Sequence, residues 1–330
     1  MKKMLPVALA AAFASQAVAG DAKPAIIFDM GGKFDKSFNQ AAYEGAERFK
    51  KETGIKYNEL EVTNEGQREQ FQRKLAQRGH NPIVMTGFSQ AAPLEKTAKA
   101  FPKVNFTLVD GVVNAPNVRS VVFREDEGSF LVGALAAMKS KTGVLGFVGG
   151  MDVPLINKFG CGYVQGARYI NPEIKVIQNM TGSTPDAWNN PTKGGELTRA
   201  QIDNKADVIY AAAGNTGVGV YQAAKDAGVY AIGVDSNQNY LHPGTMLTSM
   251  VKRVDVAVEK ALKDGLSDKF ETGVQTLGLA QDGVDWALDE HNRDLITPEM
   301  EKKVNAIREA IIKGDIKVHD YMSDNKCPVK

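Results

Sequence analysis

Acids at the ends of apolar runs are the first residues in this chain that could do chemistry. Asp29 follows Ala25-Ile26-Ile27-Phe28, Asp110 follows Val104 to Val109, and Asp235 follows Tyr230 to Val234. In open α/β sheets, ligand groups gather beyond the carboxyl ends of the strands. The Asp235 carboxylate could accept two hydroxyl bonds from a ribose-like diol. Lys252, just past Thr248-Ser249-Met250-Val251, could pair with Asp235 or donate to the same ligand; the alternative is a structural ion pair at a hinge. The stretch from Phe28 to Gln40 is denser still, with Asp29, Asp35 and Asn39 interleaved with Phe34 and Phe38. Aromatic faces beside hydrogen-bonding groups suit a flat polar ligand. The same residues also read as a capped turn with Phe38 folded into the core. Gly87-Phe88 ends the buried run Pro82 to Thr86, which makes Phe88 a further candidate. Trp188 sits in the polar loop Asp186-Ala187-Trp188-Asn189-Asn190-Pro191, where an indole either covers a core edge or faces a ligand. Phe159 shares a helical face with Tyr163 and Ala167, which reads as core.

Enzyme and cofactor chemistry find less support. A paired-carboxylate hydrolase stays open, because Asp29, Asp110 and Asp235 all sit at strand ends, yet such an enzyme would usually need a metal or a clear base. His80, His242, His291 and His319 are scattered, with no metal-ligand spacing among them. There is no G-x-x-x-x-G-K-[ST] phosphate loop and no G-x-S-x-G nucleophile elbow. Gly214-Asn215-Thr216-Gly217-Val218-Gly219 reads G-x-x-G-x-G, not the dinucleotide fingerprint, and fits a close-packed helix start better than a cofactor loop. No cofactor is therefore expected. With 40 basic against 39 acidic residues, the chain lacks the positive excess that phosphate backbones require, which argues against nucleic acid.

The elements that must hold these residues alternate. Short apolar runs at 25–28, 82–86, 104–109 and 118–123 are separated by helical spacings over 41–49, 67–79 and 92–101. Gly31-Gly32 permits a sharp turn, and Ser37 with Gln40 has capping-box spacing, so Ser37 is expected to cap the first helix. The pattern restarts with an apolar helix over 128–138. Strands at 143–150, 174–179, 206–213 and 230–234 then alternate with helices at 156–169, 191–205 and 218–228. A helix over 254–263, short strands at 273–279 and 284–288, and a helix from Pro298 to about Lys313 complete the chain. Such alternation predicts mostly parallel sheets. No Gly/Ser-rich or Pro-rich linker divides the blocks, as expected of lobes joined by crossing strands.

Residues 1–19 have the basic, apolar and small-residue regions of a cleaved export signal, too short in its apolar run to span a bilayer permanently. No cysteine stands near the cut, so the expectation is a periplasmic protein without a lipid anchor. Cys161 and Cys327 could pair in an oxidising compartment, or remain apart.

Met30-Gly31-Gly32 through Asp35-Lys36-Ser37-Phe38-Asn39-Gln40 resembles the signature G-G-x-x-D-x-S-F-N-Q of the bacterial basic-membrane-protein (BMP) family. Those are substrate-binding proteins of ABC transporters, purine-nucleoside receptors among them. The resemblance continues through Gly87-Phe88, Val109-Asp110-Gly111, Gly128-Ser129-Phe130-Leu131-Val132-Gly133, Gly146-Phe147-Val148-Gly149-Gly150, Gly214-Asn215-Thr216-Gly217, Gly233-Val234-Asp235 and Thr248-Ser249-Met250-Val251-Lys252. It implies a type I periplasmic-binding-protein fold: an α/β protein of two doubly wound lobes joined by crossing hinge strands. The first lobe would be 20–125 plus 250–272 and the second 126–249 plus 273–330. It also implies a monomer that captures a purine nucleoside and delivers it to permease subunits. Phe38 and Trp188 would sandwich the purine, Asp110 would bond the base edge, Asn39 the ligand's polar rim, and Asp235 with Lys252 the ribose. Asp29, Asp35, Phe88, Phe159, Gly214 and Asn215 complete the expected ligand-binding set. Two features depart from the family pattern: the missing lipid-anchor cysteine, and Lys33-Phe34 where smaller or apolar residues are common.

Overall fold

The computed structural model describes residues 22–267 and 270–329; the export signal read at 1–19 lies outside them. The chain begins β1 (Ala25–Phe28), α1 (Phe38–Thr53), β2 (Asn58–Glu61), α2 (Gln67–Gln77), β3 (Ile83–Thr86), α3 (Ala91–Ala100), β4 (Phe106–Val109) and β5 (Val118–Phe123). Strands β1, β3 and β4 are buried along their whole length, so they read as unbroken apolar runs. The chain then crosses and repeats the scheme. It forms α4 (Glu125–Lys139), β6 (Val144–Met151), α5 (Pro154–Ile170), β7 (Lys175–Gly182), α6 (Pro191–Asp203), β8 (Val208–Ala212), α7 (Thr216–Ala227), β9 (Tyr230–Asp235) and β10 (Met246–Lys252). After α8 (Val254–Asp264) come β11 (Gly273–Leu277), β12 (Val284–Trp286) and α9 (Pro298–Lys313).

Two six-stranded sheets result, ordered β11-β5-β4-β3-β1-β2 and β12-β10-β9-β8-β6-β7. Every pair is parallel except β10 with β12. In each sheet the order reverses next to the first strand, between β1 and β3 and between β6 and β8. Chain ends diverge at such a switch point and leave a crevice for a ligand. The expected two-lobe α/β architecture is the one observed.

Two lobe boundaries need correction: residues 250–252 were expected in the first lobe, but they end β10 in the second sheet. Gly273–Leu277 was expected in the second lobe, but β11 pairs along its length with β5 in the first sheet. The chain therefore crosses three times, after Phe123, after Lys252 and after Leu277. The crossing segments are bonded together: Arg124 N–H donates to the Leu277 carbonyl (3.0 Å), and Arg253 N–H donates to the Gly283 carbonyl (2.8 Å). An edge strand of alternating exposure carries little apolar signal, which is why its sheet was not readable.

Helix α4 packs against α5 through glycines. A Cβ on Gly133 would strike the backbone at Tyr163, and one on Gly166 the backbone at Phe130. This close pairing fixes the start of α5, which faces the cleft. Cys161 on α5 and Cys327 in the tail form a disulfide, with Cα atoms 5.6 Å apart. No helix among the described residues is long and apolar enough to cross a membrane.

Candidate ligand-binding cleft

The carboxyl ends of the two sheets face each other across a cavity of about 620 Å³, its open mouth included. Asp29, Asp35, Phe38, Asn39, Phe88, Asp110, Phe159, Trp188, Gly214, Asp235 and Lys252 all line it.

The loop from β1 to α1 is held by the protein's own hydrogen bonds. The Asp35 carboxylate accepts from the backbone N–H groups of Ser37 (2.8 Å), Asn39 (3.1 Å) and Gln40 (3.1 Å). Asp35 is therefore the cap of α1, and the expectation for Ser37 is corrected. A carboxylate two residues upstream has two oxygens for three N–H groups, and a negative charge suits a helix start. Burial nevertheless pushes the Asp35 carboxyl up to about 7, against the pull of those three donors. The Ser37 hydroxyl, thus freed, donates across the cleft to Asp235 (2.5 Å). Beside it Gln238 Nε2 donates to the Lys36 carbonyl (2.8 Å) and the Ser236 hydroxyl to the Ser37 carbonyl (3.0 Å), so the lobes are closed on one another.

Asn39 is buried, and its amide donates to the carbonyls of Asp29 (3.1 Å) and Gly32 (3.3 Å) while its oxygen accepts from Thr86 (3.2 Å). It lines the cavity but its polar atoms shape the turn. Asp29 is fixed from behind by Arg68 on α2, whose Nε donates to Oδ1 at 3.0 Å. Gly87 takes φ +96°, and a Cβ there would collide with the Asp29 side chain. This close approach brings Phe88 beside Asp29.

On the second lobe, the Trp188 indole lies against Gly150, where a Cβ would run into the ring. Phe159 is both things considered for it, 3% exposed in the core and part of the cavity wall. Leu155 and Ile156, from the first turn of α5, add apolar wall that sequence spacing did not single out. Asn215 is a correction: its side chain turns away to donate to Asn189 (2.7 Å) in an exposed contact, and only the neighbouring Gly214 reaches the cavity. Phe34 is 59% exposed and packs edge-on against Tyr43, outside the cavity.

The largest departure concerns Lys252. It was expected with Asp235, yet its ammonium donates to Asp110 (2.5 Å) and pairs with Glu125 (2.9 Å). Three phenylalanine rings surround it, with centroids 5.2 Å (Phe38), 5.1 Å (Phe123) and 5.4 Å (Phe159) from Nζ. Burial pulls the ammonium down, but Asp110, Glu125 and Asp235 together hold it well above the ordinary lysine range. Glu125 was missed. Its only signal in the sequence is its place as the first of three acids, Glu125-Asp126-Glu127, that open an apolar helix. Asp110 Oδ1 is buried and has no hydrogen-bond partner among the described residues. Burial pushes its carboxyl up, and Lys252 opposes this. Asp35 is committed to the start of α1 and Asp29 is paired with Arg68, so Asp110 and Asp235 are the acceptors that face a ligand's N–H and O–H donors.

This is the architecture of a ligand-capturing protein with two closing lobes. Residues 22–321 match the family model Bmp, described as ABC transporter substrate-binding protein PnrA-like, and the chain belongs to that family. It is 33% identical over 321 residues to the ABC transporter nucleoside-binding protein BmpA of Lactococcus lactis, covering 90% of this chain and 89% of that one. An uncharacterized lipoprotein of Pyrococcus horikoshii is 36% identical over 285 residues, covering 81% of this chain and 69% of the other. Among solved structures, an ABC transporter solute-binding protein from Aeropyrum pernix superposes with a TM-score of 0.83 at 29% identity, covering 91% and 93% of the two chains.

Proposed function

We propose that the cleft captures a purine nucleoside and that the closed protein delivers it to the permease of an ABC importer. The observation that carries this reading is the pairing of aromatic walls with opposed carboxylates. Phe38 and Trp188 offer faces for a flat base, and stacking of a base on an aromatic ring contributes about 1–3 kcal/mol. The unpartnered Asp110 Oδ1 suits the N–H edge of the base. Asp235 suits the sugar hydroxyls, and Lys252 has one N–H beyond the two engaged by Asp110 and Glu125. The excess of carboxylates disfavours a phosphorylated nucleotide. The name of the Lactococcus relative supports the ligand class. In this reading the protein acts as an exported monomer, binding and releasing its ligand unchanged. Its mode of retention outside the cell is left to the segment before residue 22, since relatives carry the name lipoprotein.

Calorimetric and thermal-shift titration of the purified chain tests the proposal, with guanosine, inosine, adenosine, guanine, ribose and guanosine monophosphate. A ligand at one hundred times its Kd adds about 2.7 kcal/mol of stability. Nucleosides should shift the transition, the base and ribose much less, and the monophosphate least. A shift with ribose or free guanine equal to that with guanosine would replace the nucleoside by the smaller ligand.

A further inference from the structure

Behind the cleft, four charged side chains stand in a row with almost no exposure. Asp110 meets Lys252, Lys252 meets Glu125 (2.9 Å), and the second oxygen of Glu125 meets Lys158 (3.0 Å). The side chains of Lys252, Glu125 and Lys158 are 1%, 1% and 6% exposed. Lys158 in turn donates to the carbonyl of Phe123, the last residue of β5 before the chain crosses between lobes (2.7 Å). Glu125 is the first residue of α4, immediately after that crossing.

We infer that Glu125 is a positioning residue for ligand capture: it sits between two buried ammonium groups and fixes the direction of the Lys252 N–H that faces the cleft. The inference rests on the nucleoside reading for its ligand but not for its geometry. Lys252 has three donors. Asp110 draws it toward the first lobe and Glu125 toward the hinge, which leaves one proton for the cavity. Without the Glu125 charge, only the more distant Asp235 opposes Asp110, and the ammonium turns toward the Asp110 carboxylate. Glu125 is held in place by Lys158, and Lys158 by the hinge carbonyl, so the donor is referenced to the crossing itself.

The charged groups around this row are few. Lys252 faces Asp110 from the loop after β4, Glu125 from α4 and Asp235 from the end of β9. Lys158 faces Glu125 and Asp126 from α4 and Asp320 from the tail. Although burial pushes Glu125 up, Lys252 and Lys158 hold it below the usual carboxylate range, so it carries its charge at neutral pH.

The test is Glu125→Gln, which keeps shape and removes charge. The Lys252 ammonium is followed at pH 7 by its 15Nζ NMR signal in the full protein, assigned with Lys252→Arg, and binding of guanosine and guanine is measured at the same pH. The ammonium signal should move, and guanosine affinity should fall by about tenfold, with guanine losing less because it lacks the sugar. If Glu125→Gln does not fold, Glu125→Gln with Lys158→Met removes one charge of each sign and carries the same expectation. An unmoved ammonium signal overturns the inference whatever guanosine does. So does a moved signal with unchanged guanosine affinity, in a protein whose wild type binds guanosine. If the wild type binds no nucleoside while the signal moves, the nucleoside reading fails and the placement of Lys252 by Glu125 stands.

Discussion

Replacing Asp110 by Asn should reverse which purine the cleft prefers. Asp110 occupies a left-handed backbone position, φ +67°. Asn tolerates that conformation nearly as well as Asp, so the fold should survive. One carboxylate oxygen accepts from Lys252, and the other is buried without a partner among the described residues. In the Asn variant, the oxygen stays toward the Lys252 ammonium, since an amide N–H₂ there would face another donor. The N–H₂ then points into the cavity. Guanosine presents N–H donors on its pairing edge and would meet donor against donor. Adenosine presents a ring nitrogen acceptor there and would be bonded. A hydrogen bond to a charged group contributes about 1.5–3 kcal/mol, so guanosine should weaken by roughly 10- to 150-fold. Adenosine should hold or gain. Calorimetric titration of both nucleosides against both proteins gives the ratio directly. Equal losses for the two nucleosides would refute the idea that Asp110 reads the base edge.

Further expectations follow from the same geometry. Phe38→Ala should weaken nucleoside binding by about tenfold or more, a loss of about 1.4 kcal/mol that lies within the range of a stacking contact, with an unchanged circular dichroism spectrum; unaltered affinity would remove Phe38 from the sandwich. Asp35→Asn should change the pH dependence of stability. The folded carboxyl, at about 7, lies above the unfolded value of about 3.9, so folding takes up a proton and the contribution of this group declines as pH rises from about 4 to 7. Between pH 5 and pH 8, denaturant unfolding should show a loss from this group of at most about 2.6 kcal/mol, the part of the change that falls in that interval, in the wild type and not in the variant. Opening the Cys161–Cys327 bond by double Ser substitution should lower Tm, with a ceiling of roughly 5 kcal/mol for a loop of this length. Nucleoside affinity should stay within about twofold, because Cys161 sits mid-way along α5 and does not line the cavity; a loss beyond about tenfold (1.4 kcal/mol) would put the tail in the binding mechanism.

The parts of this protein legible in sequence are those where one residue type has one physical use. Fully apolar runs bounded by glycine or acid gave the buried parallel strands, and an acid after each gave Asp29, Asp110 and Asp235 their places at the cavity. Pairing partners were less legible, because a carboxylate near the site can serve an ammonium, a helix end or a ligand. Asp35 was readable as a cleft acid but not as the cap that displaces Ser37, a choice made by which oxygen lies closer to three N–H groups. Lys252 was readable as a cleft cation, but its partners are Asp110 and Glu125, 142 and 127 residues away (252 − 110 and 252 − 125), and only the crossing geometry brings them together. Asn215 was carried in by its neighbour Gly214, although adjacent side chains at a helix start point in different directions. The strand at 273–279 was readable but its sheet was not, because an edge strand needs little apolar surface.

The three crossings have a mechanical consequence. A single connecting strand is a swivel, free to bend and to twist. Three strands side by side, bonded to one another where Arg124 meets Leu277 and Arg253 meets Gly283, form a ribbon that is stiff to torsion and compliant in only one bending direction. Such a ribbon resists twisting of one lobe about the other more than bending, which favours closure that returns Ser37 to Asp235.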